Sequence, residues 1–418
     1  MAFAGEFCDT RWMGGRMMDG RLRFYGRLFG WVLCVGCAAA VGGCDDDDNT
    51  PPPNDGTGLT DQVGAFDGLF DDVVTGYNFP LDIGIVPHRP VHEGGGGGHP
   101  DGGAGGTGGI EAGDILAANY GTSQVMLATD PSGASSGGQA QAFYDGTSGG
   151  LAGATGIALT PWPHHFVWAS FEQGGDGNSG GVVVLSPTGQ EVRVIDNATL
   201  PGTFDRPGGV CYGGSNPLET EIWLFVVNMG DGTAWRLETS SFDGDDLTAV
   251  RVGSGLATGT PGSPGSPGNG ISSSNDLPED GARGCVYHDG RLYVADAQNA
   301  RVVRFDAADQ GEDLDPGLLD DTPAELVTYP TGVTVNHEGS LIVISYDNAH
   351  AFVSLELPNG GFLDNGLHDL NVNAGNHGTQ VAGDTIWFTR ANNSNGSLRA
   401  VTIDQQHPPS TGGEFPVQ

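Results

Sequence analysis

The residues best suited to bind a transition metal lie in one histidine-rich segment near the start of the chain. His88, His92, Glu93 and His99 fall within the run P-H-R-P-V-H-E-G-G-G-G-G-H-P. Imidazole and carboxylate groups can coordinate a metal, but the prolines and glycines forbid a helix that would present residues i and i+4 together. Ordering such a loop also costs conformational entropy. We therefore expect no metal site in this segment.

Two cysteines follow residue 44, and their pairing is open. Cys211 and Cys285 each lie in the first strand of a predicted repeat, and an exported chain permits a disulfide between them. Closing a loop of about 75 residues would add roughly 4 kcal/mol in the chain-entropy description. However, the two residues differ by one in their distance from the preceding glycine, which in a strand can turn one side chain to the other face. A disulfide and two buried free thiols both remain as alternatives.

The first 43 residues have the layout of an export signal. A basic segment with Arg16, Arg21, Arg23 and Arg27 precedes an apolar run at residues 28–41, which is shorter than the roughly 20 residues needed to span a membrane. The sequence V-G-G-C at residues 41–44 resembles a bacterial lipobox, in which the cysteine is lipidated and becomes the mature N-terminus. Residues 44–65 begin with this cysteine and four aspartates and predict a flexible, acidic and proline-rich tether. We expect a lipid anchor on Cys44 that holds the protein in a bacterial cell envelope, facing the periplasm or on the cell surface.

The charge composition excludes one class of partner. All 16 basic residues are arginine, and 52 acidic residues give a formal net charge of −36. Such a surface repels phosphate backbones, so we expect no binding to nucleic acid. We interpret the acidity as a means of solubility and expect a monomer.

Repeated short strands define the expected architecture. With 73 Gly and 25 Pro, long helices are unfavourable. Residues 283–306 contain three apolar runs separated by H-D-G and D-A-Q-N, a pattern typical of antiparallel strands. The pattern occurs six times, with second strands beginning at Ile115, Val167, Ile222, Leu292, Leu341 and Ile386. The next residue is a large aromatic in four copies, and we expect these aromatics to pack between neighbouring sheets: Trp168, Trp223, Tyr293 and Trp387.

The two ends of the repeat region predict a closed ring. Residues 72–75 resemble an outer strand that has no earlier copy to complete, whereas the sixth copy contains only three strands. Pairing the two would remove exposed sheet edges. We therefore predict an all-β, six-bladed β-propeller at residues 66–404, followed by a tail at 405–418. Two inserts, at residues 88–109 and 253–280, are expected to be disordered.

Copies four and five resemble the NHL repeat in G-R-L-Y-V-A-D (residues 290–296), Asn299 and R-V-V-R-F-D (residues 301–306). Propellers related to this repeat include protein-binding modules, lyases and calcium-dependent lactonases of the gluconolactonase and paraoxonase type. The fold alone does not choose among these functions.

Resemblance to the lactonases implies a calcium ion at the mouth of the central channel, held by six to eight oxygen ligands. The corresponding positions, at the ends of the second strands, are Asn119, Ser170, Asn228, Asp296, Ser345 and Arg390. Only Asn119, Asn228 and Asp296 are candidate ligands, and Arg390 would oppose a cation. Asp296 and Asn299 can instead satisfy backbone groups in their own turn.

We accordingly assign no catalytic residue and expect no cofactor, with calcium as the alternative. The favoured function is a membrane-anchored propeller that binds an unknown protein or carbohydrate through its loops and is not an enzyme. The alternative is a calcium-dependent lactonase or hydrolase whose site lies at the central channel.

Overall fold

The short apolar runs form strands, and nearly every described element is a strand. The computed structural model describes residues 71–87, 109–129, 131, 138–161, 164–174, 179–215, 221–263, 281–307, 317–318, 329–335, 340–346, 350–356, 362–369, 375–382, 385–391 and 396–402. All of them belong to one unit of the chain, Pro51–Gln418. No helix in the described ranges is long and apolar enough to cross a membrane.

The described strands form six sheets, and each is a blade with four antiparallel strands in the order inner, second, third and outer; the sheet of blade six carries a short fifth strand at its outer edge. The inner strands are β2 (Pro80–Ile85), β7 (Ala152–Leu159), β11 (Pro207–Ser215), β15 (Ala282–His288), β19 (Pro330–Val335) and β23 (Asn376–Ala382). The second strands are β3 (Ile115–Asn119), β8 (Val167–Gln173), β12 (Ile222–Asn228), β16 (Arg291–Asp296), β20 (Ser340–Ser345) and β24 (Thr385–Arg390). The third strands are β4 (Gln124–Ala128), β9 (Gly181–Leu185), β13 (Ala234–Thr239), β17 (Arg301–Asp306), β21 (His350–Glu356) and β25 (Gly396–Thr402). The outer strands of blades one to five are β6 (Gln141–Asp145), β10 (Glu191–Ile195), β14 (Thr248–Gly253), β18 (Gly317–Leu318) and β22 (Phe362–Asp369).

The outer strand of blade six comes from the beginning of the repeat region. Strand β1 (Asp71–Tyr77) pairs antiparallel with β25, with Asp71 opposite Ala400 and Tyr77 opposite Gly396. A two-residue strand, β5 (Gly138–Gln139), pairs in parallel with the other edge of β1. The predicted ring closure by residues 72–75 and the predicted all-β, six-bladed propeller are therefore confirmed.

The apolar core lies between neighbouring blades, as the repeated aromatic residues predict. Trp168 is fully buried in a cluster formed by blades two and three. Tyr293 packs between blades four and five, and Trp387 packs between blades six and one. Trp223 is half-buried against blade four, and the Arg236 guanidinium lies 4.7 Å from the centre of its ring. Burying each of these large side chains contributes about 2–3 kcal/mol.

Several predicted segments lie wholly or partly outside the described residues. These are the export signal with Cys44, the tether, the tail and the four potential metal ligands at residues 88–99. Of the predicted insert at 253–280, residues 253–263 are described, and Leu256 and Ala257 are buried.

Candidate functional site in the central channel

The inner strands create a channel with unpaired backbone edges. Each inner strand is at the end of its sheet and is hydrogen-bonded on one side only, to the second strand of its blade. All six contribute residues to one cavity of about 340 Å³, which is within the usual size range of small-molecule sites. The free edge of an inner strand offers N–H donors and C=O acceptors. The propeller therefore surrounds a cavity to which every blade contributes.

A β-bulge recurs near the start of every inner strand. In β2, Pro80 pairs with Asn119 and Asp82 with Ala118, so Leu81 is an extra residue in the pairing. Comparable register shifts occur in the other five inner strands. Bulges redirect side chains and are frequent beside functional sites. The register shifts span residues 80–82, 154–156, 207–209, 282–285, 330–332 and 377–379. The aligned three-residue steps of the six strands are residues 80–82, 154–156, 207–209, 282–284, 330–332 and 376–378; we call them the bulge ring.

The third residue of the step is glycine in five blades, because neighbouring inner strands approach closely there. A Cβ atom on Gly378 would lie 2.3 Å from the Cα of Asp82, and one on Gly209 would lie 2.6 Å from the carbonyl oxygen of Arg283. Comparable close contacts surround Gly156, with the backbone of β11. A side chain at Gly156, Gly209 or Gly378 would collide with the backbone of the next blade, whereas a Cβ atom on Gly284 or Gly332 would lie 3.0 Å from it, a tight contact. The glycines thus permit the inner strands to close around the channel.

Asp82 occupies the sixth of these positions and is the exception in the ring. Its Oδ2 accepts a hydrogen bond from the backbone N–H of Ile157 in the next blade, at 2.9 Å. Asp82 is half-buried and lines the large cavity, and among the described residues it is the only charged one to do so. Burial raises the pKa of its carboxyl group to about 7, against the lowering effect of the N–H groups of Ile157 and Ile83. Asp82 is therefore able to gain and lose a proton near neutral pH.

Arg283 and His377 are the ionisable residues at the second position of the step. The Arg283 Nη1 atom lies 3.3 Å from the His377 Nδ1 atom, and both side chains are buried. Burial and the charge of Arg283 lower the pKa of His377 well below its ordinary value, so the imidazole is neutral. Because guanidinium only donates, Nδ1 accepts and Nε2 carries the proton in the tautomer that this contact requires.

A small void joins Arg283 to Asp82. It has a volume of about 10 Å³ and is also lined by Thr155, and it provides about the room that one water needs. Thr155 itself donates from Oγ1 to the carbonyl oxygen of Pro207, at 2.7 Å. In blade five, Thr331 makes the corresponding bond to the carbonyl oxygen of Asn376, at 2.8 Å. The two threonines thus connect neighbouring blades, whereas Asp82 and Arg283 supply charge.

A second buried polar cluster surrounds Glu172 at the end of β8. The hydroxyl of Tyr120 donates to Glu172 at 2.5 Å, and the backbone N–H of Gly262 donates at 3.0 Å. Arg206 lies 3.7 Å from the same carboxyl group. Burial raises the pKa of Glu172, and Tyr120, Gly262, Arg206 and then Arg283 oppose that rise. This cluster fixes the first part of the predicted insert against blade two.

The three predicted calcium ligands are engaged by loops that lead into their own blades. Asn119 accepts from the backbone N–H of Asn78 at 2.6 Å, and Asn228 donates to the carbonyl oxygen of Thr203 at 2.8 Å. Asp296 accepts from the N–H of Ala257 at 2.7 Å.

The remaining oxygen of Asp296 is also occupied. It accepts from Asn299 at 2.9 Å and from Arg301 at 2.7 Å. These contacts differ from the expected bonds to backbone groups of the same turn, because Asn299 and Arg301 donate from their side chains and the backbone donor, Ala257, belongs to another loop. Asp296, Asn299 and Arg301 therefore hold a loop in place.

Calcium does not fit the groups that the described channel presents. Within the described ranges, no three His, Cys, Asp or Glu residues are grouped so that they could hold a metal ion. Calcium requires six to eight oxygen ligands and favours carboxylates, whereas the ionisable side chains of the described ring are one carboxylate, a guanidinium and a neutral imidazole. We assign no step to a metal.

A disulfide joins Cys211 of β11 to Cys285 of β15, with 5.8 Å between their Cα atoms. Both residues line the large cavity. The bridge therefore links the inner strands of blades three and four in the wall of the cavity.

The comparisons with known proteins show no family for the chain. No family model matches the chain, and no curated protein matches it in sequence. A solved structure of a putative gluconolactonase is 12% identical, with a TM-score of 0.47, and covers 80% of this chain and 91% of its own. The PQQ-bound aldose sugar dehydrogenase of Streptomyces coelicolor is 13% identical, with a TM-score of 0.47 and coverages of 79% and 96%. Virginiamycin B lyase of Staphylococcus aureus with quinupristin is 14% identical, with a TM-score of 0.41 and coverages of 70% and 78%. The NHL resemblance stays a prediction.

Proposed function

We propose that this protein is a hydrolase of small lactones or esters that uses Asp82 as a general base and requires no calcium. The observation that carries the proposal is the placement of Asp82, a carboxyl group at the one ring position where the other five blades have glycine. It lines a cavity large enough for a small molecule, and its pKa of about 7 suits proton transfer at neutral pH. The proposed site lies in the central channel, as in the lactonase hypothesis, but the proposed reaction uses no calcium ion.

In the proposed reaction, ionised Asp82 accepts a proton from a water molecule as that water attacks the carbonyl carbon of the substrate. The void shared by Asp82, Thr155 and Arg283 is the place for the water. Arg283 and the free N–H groups of the strand edges stabilise the negative charge that develops on the carbonyl oxygen. Asp82 then returns the proton to the departing alkoxide, which leaves a carboxylic acid and an alcohol. Each step uses groups that are within or beside the channel.

Neutral His377 has a positioning role in this scheme. Its Nδ1 atom faces Arg283 at 3.3 Å, and a neutral imidazole adds no positive charge that would compete with the guanidinium. His377 thereby orients the side chain that stabilises the oxyanion.

The direct test is the release of acid from a panel of lactones and esters by the purified full-length chain, with calcium and then with EDTA. We expect hydrolysis that is equal under both conditions and that falls by 10²–10⁴-fold in Asp82→Asn. The matched control is Glu191→Gln, which removes a carboxylate on an outer strand, where it contacts Tyr144. Hydrolysis that requires calcium, or that survives Asp82→Asn, would refute the proposed role. If no substrate of the panel reacts with a folded protein, the binding-module hypothesis returns.

We also propose that the enzyme is attached to the cell envelope through a lipid on Cys44. The V-G-G-C sequence and the acidic tether that follows it support this location. An anchored protein should partition into the detergent phase after expression in a bacterial host, and Cys44→Ser should move it to the aqueous phase. Aqueous partitioning of both forms would contradict the anchor.

A further inference from the structure

We infer that the molecule taken into the cavity is uncharged and carries an apolar body, with its reacting carbonyl group at the bulge ring. This inference deepens the proposed function and rests on it for the reaction, but the binding part can be tested separately. Its basis is the chemistry of the cavity wall, the position of the one carboxylate and the net charge of the chain.

The wall of the cavity is apolar in most of its side chains. Three half-buried aliphatic residues contribute to it, Ile85, Leu159 and Val286, and behind them Ile157, Val210 and Val333 line the cavity from the buried cores between blades. A polyhydroxylated molecule would place hydroxyl groups against these side chains, and each unpaired hydroxyl would lose its hydrogen bonds to water. An alkyl or aryl body in the same place has no hydrogen bonds to water to lose, and the burial of its apolar surface favours binding.

The polar part of the cavity wall is smaller than the apolar part and consists of the strand edges, Asp82 and side chains such as Gln380 and Thr334. The backbone edges of the inner strands can bond one carbonyl or ester group, and Asp82 lies where the cavity meets the small void. The reacting group therefore belongs at the ring, and the apolar body extends away from Asp82 along the cavity.

Charge argues against an anionic substrate. The chain has a formal net charge of −36, and the only charged side chain that the described part contributes to the cavity is the Asp82 carboxylate. An anion would be repelled both on approach and at the base of the cavity. The same repulsion assists departure of the carboxylate product, because hydrolysis converts a neutral molecule into an anion beside Asp82.

The test compares two neutral six-membered lactones that differ in polarity, δ-decalactone with its alkyl chain and glucono-δ-lactone with its hydroxyl groups. For the full-length protein we expect kcat/KM to be at least 100-fold higher for δ-decalactone. Leu159→Asn should lower that preference about tenfold by placing an amide in the wall. Gln380→Leu should raise it, a gain that misfolding cannot produce. Val192→Asn, at a side chain 43% exposed on an outer strand, is the control and should change nothing.

A binding arm separates this inference from the proposed reaction. Isothermal titration of Asp82→Asn with δ-decalactone should show saturable binding with a negative heat-capacity change, the mark of apolar burial. Glucono-δ-lactone should bind at least tenfold more weakly. The carboxylate decanoate should bind the unaltered protein at least tenfold more weakly than it binds Asp82→Asn, because only the unaltered protein has the repelling carboxylate. If δ-decalactone binds but no lactone is hydrolysed by the unaltered protein, the proposed reaction fails and the inference stands. If glucono-δ-lactone is the better substrate or the tighter ligand, the inference is wrong, whatever the reaction.

Discussion

Two regions of the propeller hold buried polar residues, and they use them differently. At the ends of the second strands, the side chains of Asn119, Asn228 and Asp296 form hydrogen bonds with loops that lead into their own blades. At the starts of the inner strands, Asp82 and Arg283 line spaces within the channel. Residue type alone does not separate the two regions, because both contain an aspartate. The difference lies in what each carboxylate contacts.

The bulge explains why the two regions diverge. A regular strand places alternate side chains on its two faces, where they meet neighbouring blades. The extra residue in each inner strand interrupts that alternation and brings side chains to the channel. The second strands are paired on both sides, and their terminal residues therefore serve the adjoining loops.

The largest effect should come from adding a methyl group to the ring. In Gly378→Ala, the new Cβ would lie 2.3 Å from the Cα of Asp82, so the strands must separate. We expect a loss of at least about 3 kcal/mol in the free energy of unfolding, measured by denaturant titration. Gly202→Ala is the comparison, since a Cβ there meets nothing within 4 Å but the φ of +75° is strained, and it should lose only about 1 kcal/mol. Equal losses would show that close packing does not set the ring.

Removing the carboxylate of Asp296, at the ends of the second strands, should lower the stability of the protein and leave its catalytic activity unchanged. Asp296→Ala leaves Ala257, Asn299 and Arg301 without their buried acceptor. We expect the free energy of unfolding to fall by about 3 kcal/mol. Below the melting temperature, kcat/KM should stay within twofold of its original value. A large loss of activity in folded Asp296→Ala would place the catalytic region at the ends of the second strands instead.

A smaller loss of stability is expected for a substitution of Thr155, the residue of the bulge ring that connects blades two and three. Thr155→Val removes the donor to the carbonyl oxygen of Pro207 and should lower the free energy of unfolding by about 1 kcal/mol. Because Thr155 also lines the small void, we expect no more than a few-fold change in turnover rate. A hundredfold slower turnover at unchanged stability would make Thr155 part of the catalytic machinery.

The architecture can be predicted from the sequence because the strand pattern of one blade is repeated along the chain. The strand pattern, the aromatic in the second strand and the unpaired first strand all indicate a closed six-bladed ring, and the structure confirms it. The sequence leaves the pairing of Cys211 with Cys285 open, because a one-residue difference in strand position opposes a bridge when bulges are unknown. The structure bridges the two residues.

The site cannot be found in the same way, because a bulge leaves no periodic signal. Side chains with oxygen atoms are frequent at the ends of the second strands. Judged by residue type alone, the sequence therefore favours a site at those ends and not at the bulge ring. The signal that identifies the ring is present in the sequence nevertheless. Aligning the starts of the six inner strands gives T-G, G-G, R-G, T-G and H-G at residues 155, 208, 283, 331 and 377, and L-D at residue 81. Asp82 is the one departure from glycine, whereas its burial and its raised pKa are visible only in three dimensions.

The ionisation of Asp82 also links activity to stability, with opposite signs. The carboxyl group titrates at an ordinary pKa of 3.8 when unfolded and at about 7 when folded. Between those values the folded protein binds the proton more tightly, so the contribution of Asp82 to stability declines as the pH rises from about 4 to about 7. General-base activity increases over the upper part of the same range, because it requires the ionised form.

The most direct test of the role of Asp82 is therefore one pH series on the unaltered protein and Asp82→Asn, with kcat/KM for lactone hydrolysis and the melting temperature measured in each buffer. The unaltered protein should gain activity through pH 7. Across the same series, its melting temperature should fall relative to that of Asp82→Asn, which should be nearly inactive throughout. Parallel melting curves together with an activity profile that does not depend on Asp82 would contradict a titrating catalytic carboxylate in the channel.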